Sequence, residues 1–358
     1  MNARLRALAY KEILQLLRDR ATLGMLLGVP LLQIVLFGCA IELTPRSLAV
    51  QVATQTAATA ARVDRLMRDA PGIASVRRIE SLAAGLAAQT RGEALVVVDA
   101  DARPIRVYLD ATDPSLALHA RAVIDSFGRS LADPFAGLPD EAPAALNIVE
   151  RFNPGARTQP FIVAGLLGLI LTMAMVMMSA LSLARERERG TLEALLALEV
   201  RPLELALGKL APYVLLAAAQ ATLVLLVGRF AFDLPLRGSL PMLTLATLLF
   251  ACANLALGFA FSALARQQMQ AMQMTFFFFL PSALLSGFMF PFQAMPAWAR
   301  LLGEGLPLTH YLRIVRNLLL RGADSASVLQ DLWPIALFAA GAGLVGLIVC
   351  RWNLRRAT

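Results

Sequence analysis

Apolar positions along this chain follow two rhythms. Long runs with hardly a charge cover residues 21–41, 159–184, 210–232, 240–264, 271–303 and 331–351. At a rise of about 1.5 Å per helical residue, some 20 residues cross a hydrocarbon core of about 30 Å. Backbone groups in lipid must be bonded internally, so these runs predict helices, and none alternates like a membrane barrel strand. Between the first and second runs the rhythm shortens. "SLAVQVA", "EALVVVDA", "PIRVYL" and "LNIVERF" read as strands. "ARVDRLMRDA" and "SLALHARAVIDSFGRSL" read as helices, the second starting after Asp113-Pro114. Residues 42–158 are enough to support a small core of their own. The predicted fold is an α-helical polytopic membrane protein of six transmembrane helices with an extracytoplasmic α/β domain between the first two.

The fifth run is predicted to be broken. Pro281 should kink or end its helix, and "FPFQAMPAW", with Pro291 and Pro296, makes a second interruption. Such breaks are tolerated at membrane depth where backbone faces protein or a cavity, so 271–303 reads as a broken span with a re-entrant segment. In residues 304–330, Tyr311, Ile314 and Leu318 share one helical face and Arg313, Arg316 and Arg321 turn elsewhere. That spacing predicts an amphipathic helix on the outer surface. Residues 1–20 place Leu5, Leu8, Ile13, Leu16 and Leu17 on one face beside Arg4, Lys11, Arg18 and Arg20, which suits a helix lying on the inner leaflet.

Charge sets the orientation. Only 16% of the 358 residues are charged, against about 25% in soluble domains. The net charge is +8, yet residues 42–158 hold 13 arginines against 14 acidic residues. The basic excess lies in 1–20, 185–209, 265–270 and the tail 352–358. The positive-inside rule places these segments and both termini in the cytoplasm, with block 42–158 outside. The basic balance is therefore topological and implies no nucleic acid. Cys39, Cys252 and Cys350 fall in or beside spans, so no disulfide framework follows. The first run reads as an uncleaved signal anchor.

Catalytic chemistry is sparse. No zinc-protease spacing or nucleophile elbow occurs, and Gly208-Lys209 lacks the upstream glycine and following hydroxyl of a phosphate-binding loop. Within the most apolar stretches of these runs, 22–41, 160–184, 210–232, 240–264, 271–292 and 332–350, Arg229 is the one charged residue, near an end where it can snorkel. His119 lies on a predicted helix and reads as an ordinary surface or core residue. No metal site or enzyme activity is expected, and ATP chemistry would have to come from another subunit. A membrane-anchored sensor or assembly protein with a ligand-binding external domain would also fit the 42–158 block, though not the broken fifth run.

The segment "RERERGTLEALLALEVRPLELALGK" follows the second run. Gly190 should end one helix and Thr191 cap the next, with Glu193 favoured in the first turn by the helix dipole. This stretch resembles the signature of ABC-2 type transporter permeases, the membrane subunits of ATP-binding-cassette exporters of the type V architecture. The matching positions are Glu186, Glu188, Gly190, Thr191, Glu193, Arg201, Glu204, Gly208 and Lys209. "LPSALLSGFMFPFQAMPAWARLLGEGLPLTHYLRIVRNLLLRGAD" and "KEILQLLRDRATLGMLLGVPLLQIVLFGCAIE" are similar to further landmarks of that family. One departure is Glu199, which stands where a proline is common. The resemblance implies a coupling helix after Gly190, with Leu196 packing and the carboxylates meeting a cytoplasmic ABC ATPase that carries ATP and magnesium. It further implies a second permease copy or paralogue, export of a hydrophobic or amphiphilic substrate such as a drug or lipid, membrane lipids as neighbours, and a bacterial inner-membrane location. A periplasmic adaptor protein is a further partner in some members. Met173, Met177, Phe277, Pro281, Ser286, Gly287 and Phe290 are the candidate pathway or gate residues.

Overall fold

Consecutive valines at 96–98 mark where the sheet is covered on both sides, since successive strand residues point to opposite faces. In the computed structural model, which describes residues 48–54, 73–102, 104–132, 146–155, 157–188, 190 and 202–357, all three are buried. They form the central strand, β3 (Val96–Asp99), of a five-stranded sheet with β1 (Leu48–Ala53), β2 (Ile73–Ile79), β4 (Arg106–Asp110) and β5 (Asn147–Arg151). The order is β2-β1-β3-β4-β5, parallel except for the antiparallel β3–β4 pair.

Helix α1 (Leu82–Thr90) connects β2 to β3, and α2 (Pro114–Ala132) connects β4 to β5. On one sheet face Val50, Val52, Val96, Val98, Val107 and Leu109 pack with Ala117, Ala120 and Ile124 of α2. On the other, Val97 packs with Ala88 and Ala94, and Gly85 lets α1 settle against Ile79 and Val97. The Asp113 carboxylate caps α2 through the amides of Ser115 and Leu116. The four expected strands and the second expected helix are present. β2 and α1 were not expected. Helix 61–70 lies outside the described residues.

Among the described residues four helices are long and apolar enough to cross a membrane: α3 (Thr158–Glu188), the Leu210–Phe232 part of α4 (Pro202–Phe232), α5 (Leu240–Leu264), and the Ser325–Asn353 part of α9 (Ser325–Ala357). They cover the second, third, fourth and sixth expected runs. The first run and the 1–20 helix lie outside the described residues.

The chain crossing at residue 271 differs from expectation. α6 spans Gln268–Leu285, and its glutamine-bearing amino half makes it less apolar than the other four. Pro281 sits inside this helix instead of ending it. The break comes at Gly287, whose φ of +84° suits glycine and cannot continue a right-handed helix. A 3₁₀ turn at Phe292–Ala294 and α7 (Ala297–Glu304) follow.

The expected surface helix is a second correction. α8 (Pro307–Arg316) forms, but it is lodged in the bundle core. Tyr311, Ile314 and Leu318 are buried there as a face, beside Leu167, Leu171 and Phe250. Tyr311 stacks on Phe250 of α5 with ring centroids 4.1 Å apart, and its hydroxyl meets Thr247 Oγ1 at 2.8 Å. Gly168 gives Leu308, Tyr311 and Leu312 room against α3. A π-helical turn, Asn317–Arg321, then leads to Gly322 at φ +69°.

α3 and α5 form the centre, and their contact is made of small residues. Gly258 faces Val176, Ser179 and Ala180. Ser179 donates to Leu255 O at 2.7 Å, and Ser262 Oγ accepts from the amides of Leu183 and Ala184. Close backbone approach with side-chain hydrogen bonds is how helices associate without a hydrophobic drive. α4 and α9 instead expose apolar sides, including Leu215, Leu223, Phe230, Leu337 and Ile348, as lipid-facing helices would.

Candidate functional site

The charged run after α3 closes one end of the bundle. Arg187 donates to Ala265 O and Ala263 O, carbonyls left over at the carboxyl end of α5. Glu188 accepts from the backbone amide of Gln268 at 2.6 Å and from its side-chain amide at 2.5 Å, capping α6 where Gln267 gives no side-chain cap. Asn353 Nδ2 reaches Ala263 O at 2.7 Å. The 185–190 segment, the 265–267 connection and the end of α9 therefore meet, as a shared side of the membrane would require. Arg185 points into solvent. Gly190 follows at φ +69°, a left-handed conformation that cannot continue the helix.

Thr191, Glu193, Leu196 and Arg201 lie outside the described residues. Glu204 and Lys209 fall on α4, within its first turns. Glu188 has an intramolecular partner that sequence spacing did not reveal.

The opposite end carries the sheet. Arg321 Nε pairs with Asp110 Oδ2 at 2.9 Å, and Asn317 Nδ2 donates to Arg91 O at 3.2 Å. Arg237, in the α4–α5 connection, donates to Leu320 O at 2.9 Å. His310 is buried between Asp331 Oδ1 and Glu304 O, each 2.9 Å away, and Arg313 pairs with Glu304. Between the sheet and the bundle lies a cavity of about 370 Å³. Its wall includes Phe161, Ser286, Gly287, Arg313, Arg316 and Asn317. Burial lowers the Arg316 guanidinium to about 10, opposed by the negative charge of Asp113, so it stays cationic near neutral pH.

The candidate pathway residues do not converge. Ser286 and Gly287 line this cavity, whereas Phe290 packs beside the Leu284, Leu285, Met295 and Ala299 cluster. Met177 packs at the other end with Phe261 and Met272. Met173 is partly buried on α3; on α6, Phe277 is exposed and Pro281 partly buried. Arg316 was missed as a site residue. The available signal was three arginines at 313, 316 and 321, in and just after a helix whose other face is apolar. Among the described residues no group of His, Cys, Asp or Glu could hold a metal ion.

A family profile described as "ABC-2 family transporter protein" matches residues 20–348. The "Probable multidrug ABC transporter permease YbhS" of Escherichia coli K12 is 33% identical over 96% of this chain and 95% of its own length. The "Probable multidrug ABC transporter permease YbhR" of the same strain is 28% identical over 95% and 96%. The "ABC transporter G family member 20" of Dictyostelium discoideum is 22% identical over 88% of this chain and 46% of that protein. No solved structure matches significantly.

Proposed function

The chain belongs to the ABC-2 transporter family, and from that premise we propose that it works as the transmembrane half of an ABC exporter. A separate cytoplasmic ATPase supplies the energy, with ATP and magnesium bound there. Two permease copies, identical or paralogous, enclose the path, and the cargo is a hydrophobic or amphiphilic molecule moved outward across the inner membrane of a bacterium. The multidrug permeases named above support that cargo class.

The observation that carries this reading is the closed end built by Arg187, Glu188 and Gly190. It joins the ends of α3, α5 and α6 immediately before the segment that resembles the family's coupling helix. In this reading the helix after Gly190 seats in the ATPase, with Glu186 and Glu193 offered to basic groups and Leu196 packing. A push on it reaches α5 and α6 through Arg187 and Glu188. Thr191 caps the coupling helix, and Arg201, Glu204 and Lys209 carry it back into α4. The first run and α6 complete six spans, both termini are cytoplasmic, and the sheet domain projects outward, where it can meet a periplasmic adaptor. Met173, Met177, Phe277, Pro281, Ser286, Gly287 and Phe290 border the path as the halves rearrange.

The test is ATPase stimulation in the reconstituted complex. Glu193→Arg is expected to abolish stimulation while leaving assembly of the permease intact. Full stimulation in that variant removes Glu193 from the coupling role. Purification of the wild type without any ATPase subunit removes the exporter reading altogether.

A further inference from the structure

The cavity beneath the sheet holds a cation with no ion-pair partner among the described residues. Arg316, in the last turn of α8, gives Nη1 to Gly287 O at 2.9 Å, and its guanidinium carbon lies 3.9 Å over the Phe161 ring. Its Nε and Nη2 are buried and have no hydrogen-bond partner among the described residues. The other three arginines of the wall are paired: Arg91 with Glu93, Arg313 with Glu304, and Arg321 with Asp110. Asp113 is near enough to favour the Arg316 charge, but it forms no ion pair with it among the described residues, and its Oδ1 is engaged in capping α2. A buried guanidinium with idle donors is strongly unfavourable unless something bonds it.

We propose that this cavity binds a phosphodiester-type oxyanion, with Arg316 as its central ligand. A guanidinium presents its donors as a planar fork that matches phosphate oxygens. The one arginine of the wall without a carboxylate partner among the described residues calls for one negative charge, and Asp113 disfavours a dianion by repulsion. Ser286, whose hydroxyl makes only a long 3.5 Å bond to Ala283 O, adds a donor on the same wall. Phe161, Leu116 and Leu312 supply apolar wall beside it. The volume lies at the small end of ligand pockets, which suits a headgroup-sized molecule. Depth agrees too: Phe161 is in the first turn of α3, where a spanning helix leaves the hydrocarbon and phospholipid headgroups lie. The source is therefore a lipid headgroup or a free phosphodiester. The site shares Ser286 and Gly287 with the proposed path, but its test is separate from the transport reading, because anion binding is measured without any ATPase.

The experiment uses the full chain purified in a neutral maltoside. Diethyl phosphate is titrated by calorimetry, and lipid retention is read by native mass spectrometry after incorporation into nanodiscs of phosphatidylglycerol or phosphatidylcholine. Arg316→Gln is expected to weaken binding at least about tenfold, since a charge-assisted bond is lost. Asp113→Asn keeps the α2 cap and is expected to tighten binding several-fold. Opposite responses of the two variants support the site. Diethyl phosphate binding then identifies a free anion as sufficient, and retention of phosphatidylglycerol alone identifies the headgroup. If Arg316→Gln does not fold, the gain in Asp113→Asn decides by itself. Absence of binding to both probes, or binding that Asp113→Asn leaves unchanged, overturns the proposal.

Discussion

Adding one methyl group at Gly258 tests the α3–α5 contact directly. A Cβ there would stand 2.7 Å from Ser179 Cβ and 3.1 Å from Ala180 N, and closer still to Val176 O, whereas ordinary contact begins at 3.4 Å. The backbones cannot yield as a flexible side chain would, so the helices must part by about 0.7 Å or more along this contact. Separation also stretches the Ser179–Leu255 bond and the two amide bonds to Ser262. Overpacking of this kind typically costs about 1–3 kcal/mol. Replacing glycine by alanine in a helix returns up to about 1 kcal/mol, which would mask part of the effect. Gly343→Ala in α9 supplies the correction, because its Cβ would meet only Ala256 Cβ at 3.9 Å. The difference between the two variants isolates the overpacking. Thermal unfolding in one detergent should put Gly258→Ala several degrees below Gly343→Ala. Equal midpoints, or a higher one for Gly258→Ala, would refute the close-packed interface.

Three further outcomes follow from local geometry. Gly190→Asn should keep most ATPase stimulation and Gly190→Val should lose it, because a left-handed residue other than glycine costs about 1–2 kcal/mol and asparagine bears this best; equal loss would show that the φ of +69° is not what matters. Arg321→Ala leaves Asp110 buried without its partner, so hydrogen exchange across β4 and β5 should rise as the domain loosens by about 3–5 kcal/mol; unchanged exchange would make the pair dispensable. Thr247 already donates to Leu243 O, so the Tyr311 hydroxyl donates to Thr247. Thr247→Val should therefore destabilise by about 1–3 kcal/mol and Tyr311→Phe by only about 0.5–1.5 kcal/mol, an order that reversed unfolding midpoints would contradict.

Four long helices were legible because an uncharged run of that length has few other uses. The strands at 96–99 and 106–110 were legible from their valine-rich and alternating patterns. β2 was not, since Arg77 and Arg78 stand side by side and an edge strand needs no clean alternation. α1 was missed because "LAAGLAAQT" has no amphipathic stripe, and it packs through small residues such as Gly85. The arginines of α8 suggested a water-facing side. Arg313 and Arg316 are instead accommodated by Glu304, the Gly287 carbonyl and the Phe161 ring, partners distant in sequence that no helical spacing announces. At the other end the charged run was legible as a motif, while the partners of Arg187 and Glu188 lie some 80 residues away.

The hydrogen bonds between α3 and α5 also constrain biogenesis. Leu183 and Ala184 depend on Ser262, 79 and 78 residues later in the chain. At synthesis rates of about 5–20 residues per second, α3 is made roughly 4–16 s before the helix that completes it. During that interval its face of Ser179 and neighbouring small residues must be sheltered by the insertion machinery or by lipid. A nascent chain halted before α5 would leave α3 without its binding groove, and such truncated products should be rapid substrates for membrane quality control.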